Sequence, residues 1–158
     1  MNPEHWLDVA EQLLRDPRRG APRQVNLRCA VSLVYYALFH WFANCAADAL
    51  AGAAKPRDGS WTRVYRSLQH HQVRKECRKG RIPKGFPTSI RRFATEVVTM
   101  QDRRHLADYD PQARFSKGDA LAFLRNADSI LNDLQTATPT EKRAFAIHVL
   151  FKKRPGSP

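Results

Sequence analysis

Between Pro22 and Ala51 the sequence places Leu27, Val31, Val34, Tyr35, Leu38, Phe39, Trp41 and Phe42 around most of a helical circumference. A helix that is apolar on nearly every side cannot rest on a surface. It must be wrapped by other elements or lie in a membrane. Its most apolar stretch, 29–51, is interrupted by Tyr35, Tyr36, His40, Asn44 and Asp48, so it reads as a core helix rather than a membrane span. The polar residues have a period. Arg28, Ser32, Tyr36, His40, Asn44 and Asp48 follow one another every four positions, which stacks them into one ribbon along the helix. Buried polar groups need partners. The ribbon therefore predicts either satisfied side chains at helix contacts or a polar cleft at the middle of a bundle.

The rest of the chain supplies the wrapping. A first helix is predicted from Pro3 to about Arg15, with Trp6, Val9, Ala10, Leu13 and Leu14 as its apolar stripe; Asp16-Pro17 stops it. A third helix is predicted over roughly 61–79, with Ser60 as N-cap and Trp61, Val64, Tyr65, Leu68 and Val73 apolar. A fourth runs from about Thr88 to Ala107 on Ile90, Phe93, Ala94, Val97 and Met100. That stripe continues to Arg104 and Asp108, which stand one turn apart where apolar residues are expected and can pair. Ser116 with Asp119, and Thr138 with Glu141, resemble capping boxes. They open a fifth helix over about 117–135 and a short last one reaching Phe151. Glycine is sparse, at 7 residues, and no run alternates apolar and polar, which disfavours strands. The expected fold is all-α: an up-and-down bundle of four to five main helices plus a short C-terminal helix. One domain is expected over 1–151, followed by a basic tail, 152–158, in a chain of 158 residues.

The net charge is +12, and residues 55–105 carry most of it, with 14 Lys/Arg against 4 Asp/Glu. A basic surface of this kind attracts phosphate polymers through counterion release, or it serves as a solvated face that aids solubility. Arg66, Arg74, Lys75, Arg78, Lys79, Arg81 and Arg103 are the residues expected to meet a nucleic acid. An odd number of cysteines, with no CxxC pair, argues for a reducing compartment. The opening MNPEHWLDVAEQLL is unlike a signal peptide, so the expected location is cytoplasmic. Cys29 and Cys45 read as small core hydrophobes. Cys77 lies amid Arg74, Lys75, Arg78 and Lys79, whose charges would favour its thiolate and make it the most reactive of the three.

Several chemistries lack their residues. His70 and His71 are adjacent and have no ligand-spaced acid or cysteine, so no metal site is expected. No phosphate-cradling glycine loop and no GxSxG occur. What remains is Gln101–Pro111, at the end of the fourth helix, with two arginines, His105, three aspartates and Tyr109 within three turns. Metal-free RNA cleavage needs a base for the 2′-OH and cations for the phosphate in its charged transition state. Arg104 and His105, with Asp108 and Tyr109 beside them and His40 on the central helix, could supply these. The bland alternative is an Arg104–Asp108 ion pair that fixes helix packing.

The segments RCAVSLVYYALFHWF and RRHLADYDP together resemble the HEPN superfamily, and WTRVYRSLQHH and RAFAIHVLFKKR look like a branch of small bacterial HEPN-like proteins. The resemblance covers roughly residues 25–154. It implies a compact helical bundle, commonly a homodimer, without a cofactor. It also implies a metal-independent ribonuclease of toxin–antitoxin, abortive-infection or other defence systems, with an antitoxin or nucleotidyltransferase as partner. The family's site is an arginine followed after four to six residues by a histidine. After Arg103 that histidine position is Asp108 here. The resemblance is thus compatible with a ribonuclease in which His105 acts, or with a non-catalytic module that binds nucleic acid or protein.

Overall fold

In a computed structural model the described residues are 2–15, 22–54, 56–78 and 80–151. They form seven α-helices and no strand: α1 (Glu4–Arg15), α2 (Gln24–Ala51), α3 (Gly59–Ser67), α4 (His70–Cys77), α5 (Thr88–Tyr109), α6 (Lys117–Asp133) and α7 (Pro139–Leu150). A single 3-10 turn, Leu134–Thr136, joins the last two. The chain is an all-α helical bundle. Lys79 and the tail 152–158 lie outside the described residues.

The long apolar helix is the axis, as its composition requires. α2 packs against α1, α3, α5, α6 and α7. By length and composition it could cross a membrane, but 61% of its most apolar window is buried inside the bundle. Three phenylalanines tie its middle to two neighbours. Phe42 of α2 lies 5.7 Å from Phe93 of α5 and 4.8 Å from Phe145 of α7, ring centre to ring centre. All three are almost wholly buried. In α1, Leu7, Ala10 and Leu14 face inward, whereas Val9, which spacing assigned to the same stripe, is exposed.

Both expected capping boxes are present. Ser116 and Asp119 start α6, and Thr138 and Glu141 start α7, with Pro139 in its first turn. The third helix needs correction. It is broken into α3 and α4 at Leu68 and Gln69, whose backbones are extended. The reason is angular. In a straight helix Val73 would be turned roughly 140° away from Leu68, yet both are buried. The break lets both reach the core. The N-cap is also corrected. Asp58, not Ser60, accepts the Trp61 backbone N–H, at 2.8 Å.

One side chain anchors the end of α5. The Arg28 guanidinium of α2 donates to the carbonyls of Ala107 (Nε, 2.6 Å), Leu106 and Ala113 (3.4 Å each), and also of Asp110. A cation at a helix C-terminus satisfies carbonyls that have no partner within the helix and complements the helix dipole. One turn further out, Gln24 exchanges two hydrogen bonds with the Phe115 backbone and holds the following loop to α2.

Two substitutions test these joints. Phe93→Ala should cost about 3–5 kcal/mol, through lost burial and the cavity left behind. Arg28→Met keeps much of the stem but strands the α5 carbonyls, and should cost about 1.5–3 kcal/mol. Both are read from urea unfolding midpoints at constant slope.

Candidate functional site

The ribbon on α2 organises the site. Its third member, Tyr36, receives a hydrogen bond from Arg104 Nη2 at 3.0 Å. Arg104 is one of the two polar residues that continue the apolar stripe of α5, so its side chain is half-buried against α2. Its Nε lies 2.5 Å from Asp108 Oδ2, and Ser32 of the ribbon donates to the other carboxylate oxygen at 2.5 Å. The predicted i, i+4 pair is therefore formed and pinned to α2. The guanidinium also faces two rings, Tyr36 at 5.5 Å and Tyr109 at 5.6 Å. Burial works against the charge on Arg104. The tyrosines and Asp108 outweigh it and hold the pKa above the ordinary arginine value.

Two histidines close the inner side of this cluster. His40, next along the ribbon, has Nδ1 2.6 Å from the Tyr65 hydroxyl. Its ring stacks on Trp6 at 5.2 Å and on Tyr36 at 6.1 Å. His70, at the first position of α4, has Nδ1 2.6 Å from the Tyr35 hydroxyl and its ring 4.0 Å from that of Phe39. Burial lowers the pKa of both. For His70 the nearby Arg104 charge adds to that effect. Burial also raises the phenols of Tyr35 and Tyr65, so these hydroxyls stay protonated.

His105 is not part of the inner cluster. It is exposed, and its ring lies 5.1 Å from Tyr109, itself 63% exposed. Tyr109 thus joins Arg104 on one side to His105 on the other, at the rim. His70 is the residue that sequence reasoning missed. No helical spacing connects residue 70 to residue 104; the break at 68–69 does so by starting a new helix beside α5.

The expected nucleic-acid residues divide in two. Arg66 and Arg78 are exposed and have no ion-pair partner among the described residues. Arg74 is half-buried and pairs with Asp102 at 2.6 Å, fastening α4 to α5. Lys75 and Arg81 both approach Glu76, at 3.8 and 3.9 Å. The Arg103 guanidinium sits 5.8 Å from the Phe123 ring. The helix that begins at His70 therefore carries basic side chains onward from the cluster.

The expectations for Cys77 and Cys29 are reversed. Cys77 is 3% exposed, and burial pushes its thiol up to about 12, opposite to the activation expected from its basic neighbours in sequence. Lys75 and Arg78 are exposed and Arg74 is turned to Asp102, while the sulfur is buried with the core. Cys29 is exposed rather than buried, and Cys45 is half-buried with its thiol pushed up to about 11 by burial. Among the described residues, no three His, Cys, Asp or Glu side chains come together as a metal-binding group.

The two histidines give the fold a pH dependence with a definite sign. Their pKa values fall on folding from an ordinary 6.5. The unfolded chain thus takes up protons first as the pH drops, and stability that is fully present above pH 6.5 is lost as the pH falls below it. The urea midpoint should fall between about pH 7.5 and about pH 5, and by less in His40→Gln and His70→Gln variants. An unchanged pH response in both variants would assign the titration to other groups.

Compared with known proteins, the chain matches no family model, and neither a curated protein nor a solved structure shows significant similarity to it.

Proposed function

We propose that this protein acts on RNA as a HEPN-like helical module, cytoplasmic and homodimeric, whose working site is the cluster around Arg104. The observation that carries the proposal is the meeting, around Tyr36, of a half-buried arginine with two imidazoles whose pKa burial lowers, at the head of a helix lined with basic side chains. An RNA backbone lying along α4 would run from Arg78 and Lys75 towards Arg104. The Arg104 charge would offset the charge that builds on a phosphate during cleavage. A neutral imidazole is the form able to take the 2′-OH proton, and His70 and His40 are held in that form. His70 is preferred because it lies within the field of Arg104. In this scheme Tyr109 and His105 form the rim on which a base can stack. The activity would be that of a metal-independent ribonuclease of the toxin–antitoxin or defence type, with an antitoxin or nucleotidyltransferase as partner.

A specific contact favours a second reading, a non-catalytic RNA-binding module. The Arg104 charge is already answered by Asp108 at 2.5 Å. Phosphate must displace that carboxylate before the arginine can assist any reaction.

One experiment separates the two. Purified protein is incubated with a mixed-sequence RNA in EDTA, alongside Arg104→Ala, His70→Ala and His105→Ala variants. The ribonuclease reading expects cleavage by the wild type, about 100-fold slower in the first two variants and largely kept in the third. No cleavage by the wild type, with RNA binding that weakens steeply with salt, gives the second reading. Absence of salt-dependent binding overturns both.

A further inference from the structure

On another part of the bundle a cleft of about 1100 Å³ opens between the C-terminal half of α2, the first turn of α7 and the segment leading into α3. Trp41, Cys45 and Asp48 line it from α2, spaced four and three residues apart and so sharing a face. Lys142 and Arg143 line it from α7, and Arg57 from the segment before α3. This cleft shares no lining residue with the Arg104 cluster.

The charges of the cleft are unbalanced. Asp48 accepts from the Trp61 indole N–H at 2.7 Å and lies 4.0 Å from Arg57, whose guanidinium is stacked 3.9 Å from the Trp61 ring. The single acid of the cleft is therefore committed to Arg57 and Trp61. Glu141, the nearest acid in sequence to the two α7 cations, is taken up by Thr138, whose backbone N–H and hydroxyl it accepts at 2.7 and 2.9 Å. Lys142 and Arg143 have no carboxylate partner among the described residues. They also stand in the first turns of α7, where the helix dipole disfavours a cation. These two cations share the cleft wall with the Trp41 indole and the Cys45 thiol. They are where an anion would be stabilised most.

We propose that this cleft binds a small organic anion, a carboxylate or phosphate ester on an apolar body. The acid group meets Lys142 and Arg143, and the apolar body lies against Trp41 and Cys45. The mixed lining suits such a ligand. An apolar wall accepts the body at little desolvation cost, while the few polar groups fix its orientation. Arg57 is held by Asp48 and Trp61, so the excess positive charge of the cleft is that of Lys142 and Arg143. The site is independent of the Arg104 cluster and of any action on RNA.

The test uses phenylacetate and phenyl phosphate as anionic probes and benzyl alcohol as the neutral control. Binding is followed by nitrogen-15 NMR at the indole N–H of Trp41, assigned with a Trp41→Phe variant. Saturable shifts are expected at Trp41 and in the first turn of α7 for at least one anion, with the neutral probe at least about tenfold weaker. Comparison of the two anions shows which acid group the site prefers. A Lys142→Glu, Arg143→Glu variant should bind about tenfold or more weakly. Its fold is not at risk, because acids suit that helix end; circular dichroism checks this. Arg104→Ala should bind as the wild type does. The proposal is overturned if neither anion gives a saturable shift at Trp41 at millimolar concentration. Equal binding by the charge-reversed variant, or shifts confined to α3–α5, would overturn it as well.

Discussion

Along α2 a polar side chain recurs every fourth residue on a largely buried helix, and α3 and α5 meet that ribbon with hydrogen-bonding groups. Arg28 donates to the carbonyls at the end of α5. Ser32 binds Asp108, and Tyr36 accepts from Arg104. His40 meets the hydroxyl of Tyr65 on α3. Asp48 holds the Trp61 indole and approaches Arg57. A hydrophobic core alone would let α3, α4 and α5 slide or rotate against α2, since apolar contact has no direction. Hydrogen bonds are directional and costly to leave unmade. The ribbon thus sets the register of the helices that the phenylalanine trio merely holds together.

The candidate site is drawn from the same residues. The polar groups that fix the packing at the centre of the ribbon are also the chemically competent ones: an arginine, two neutral histidines and four tyrosines around them. Hydrogen bonds fix these groups relative to one another, which suits a site that must offer preorganised charge. Arg104 is tied into the packing on both sides. Its Nε is spent on Asp108, while its other face lies against Tyr36 and the exposed Tyr109.

Much of this was legible in the residues. The central helix, the ribbon, both capping boxes and the Arg104–Asp108 pair follow from spacing, because they depend on contacts within a turn or two of one helix. Their chemistry is local and the helical period is fixed. Three features were not legible. The break at Leu68–Gln69 arises because two buried residues fall on different sides of a straight helix, and only the core they share makes that matter. His70 enters the cluster as a result of that break. Cys77 is surrounded by cations in sequence but by apolar side chains in space, so its thiol shifts in the direction opposite to the one expected.

The sequence by itself determined that the chain is helical, that one helix must be enclosed by the others, and that positive charge collects in the middle third. These are consequences of composition and period, which need no knowledge of neighbours. The tertiary structure alone decided which polar groups meet across helices: Arg28 with the end of α5, Tyr35 with His70, Tyr36 with Arg104. It also decided which side of each basic helix faces solvent and where the cleft beside Trp41 opens. Those pairings depend on the relative rotation of helices far apart in the chain, and that rotation is set by the sum of all the contacts in the bundle.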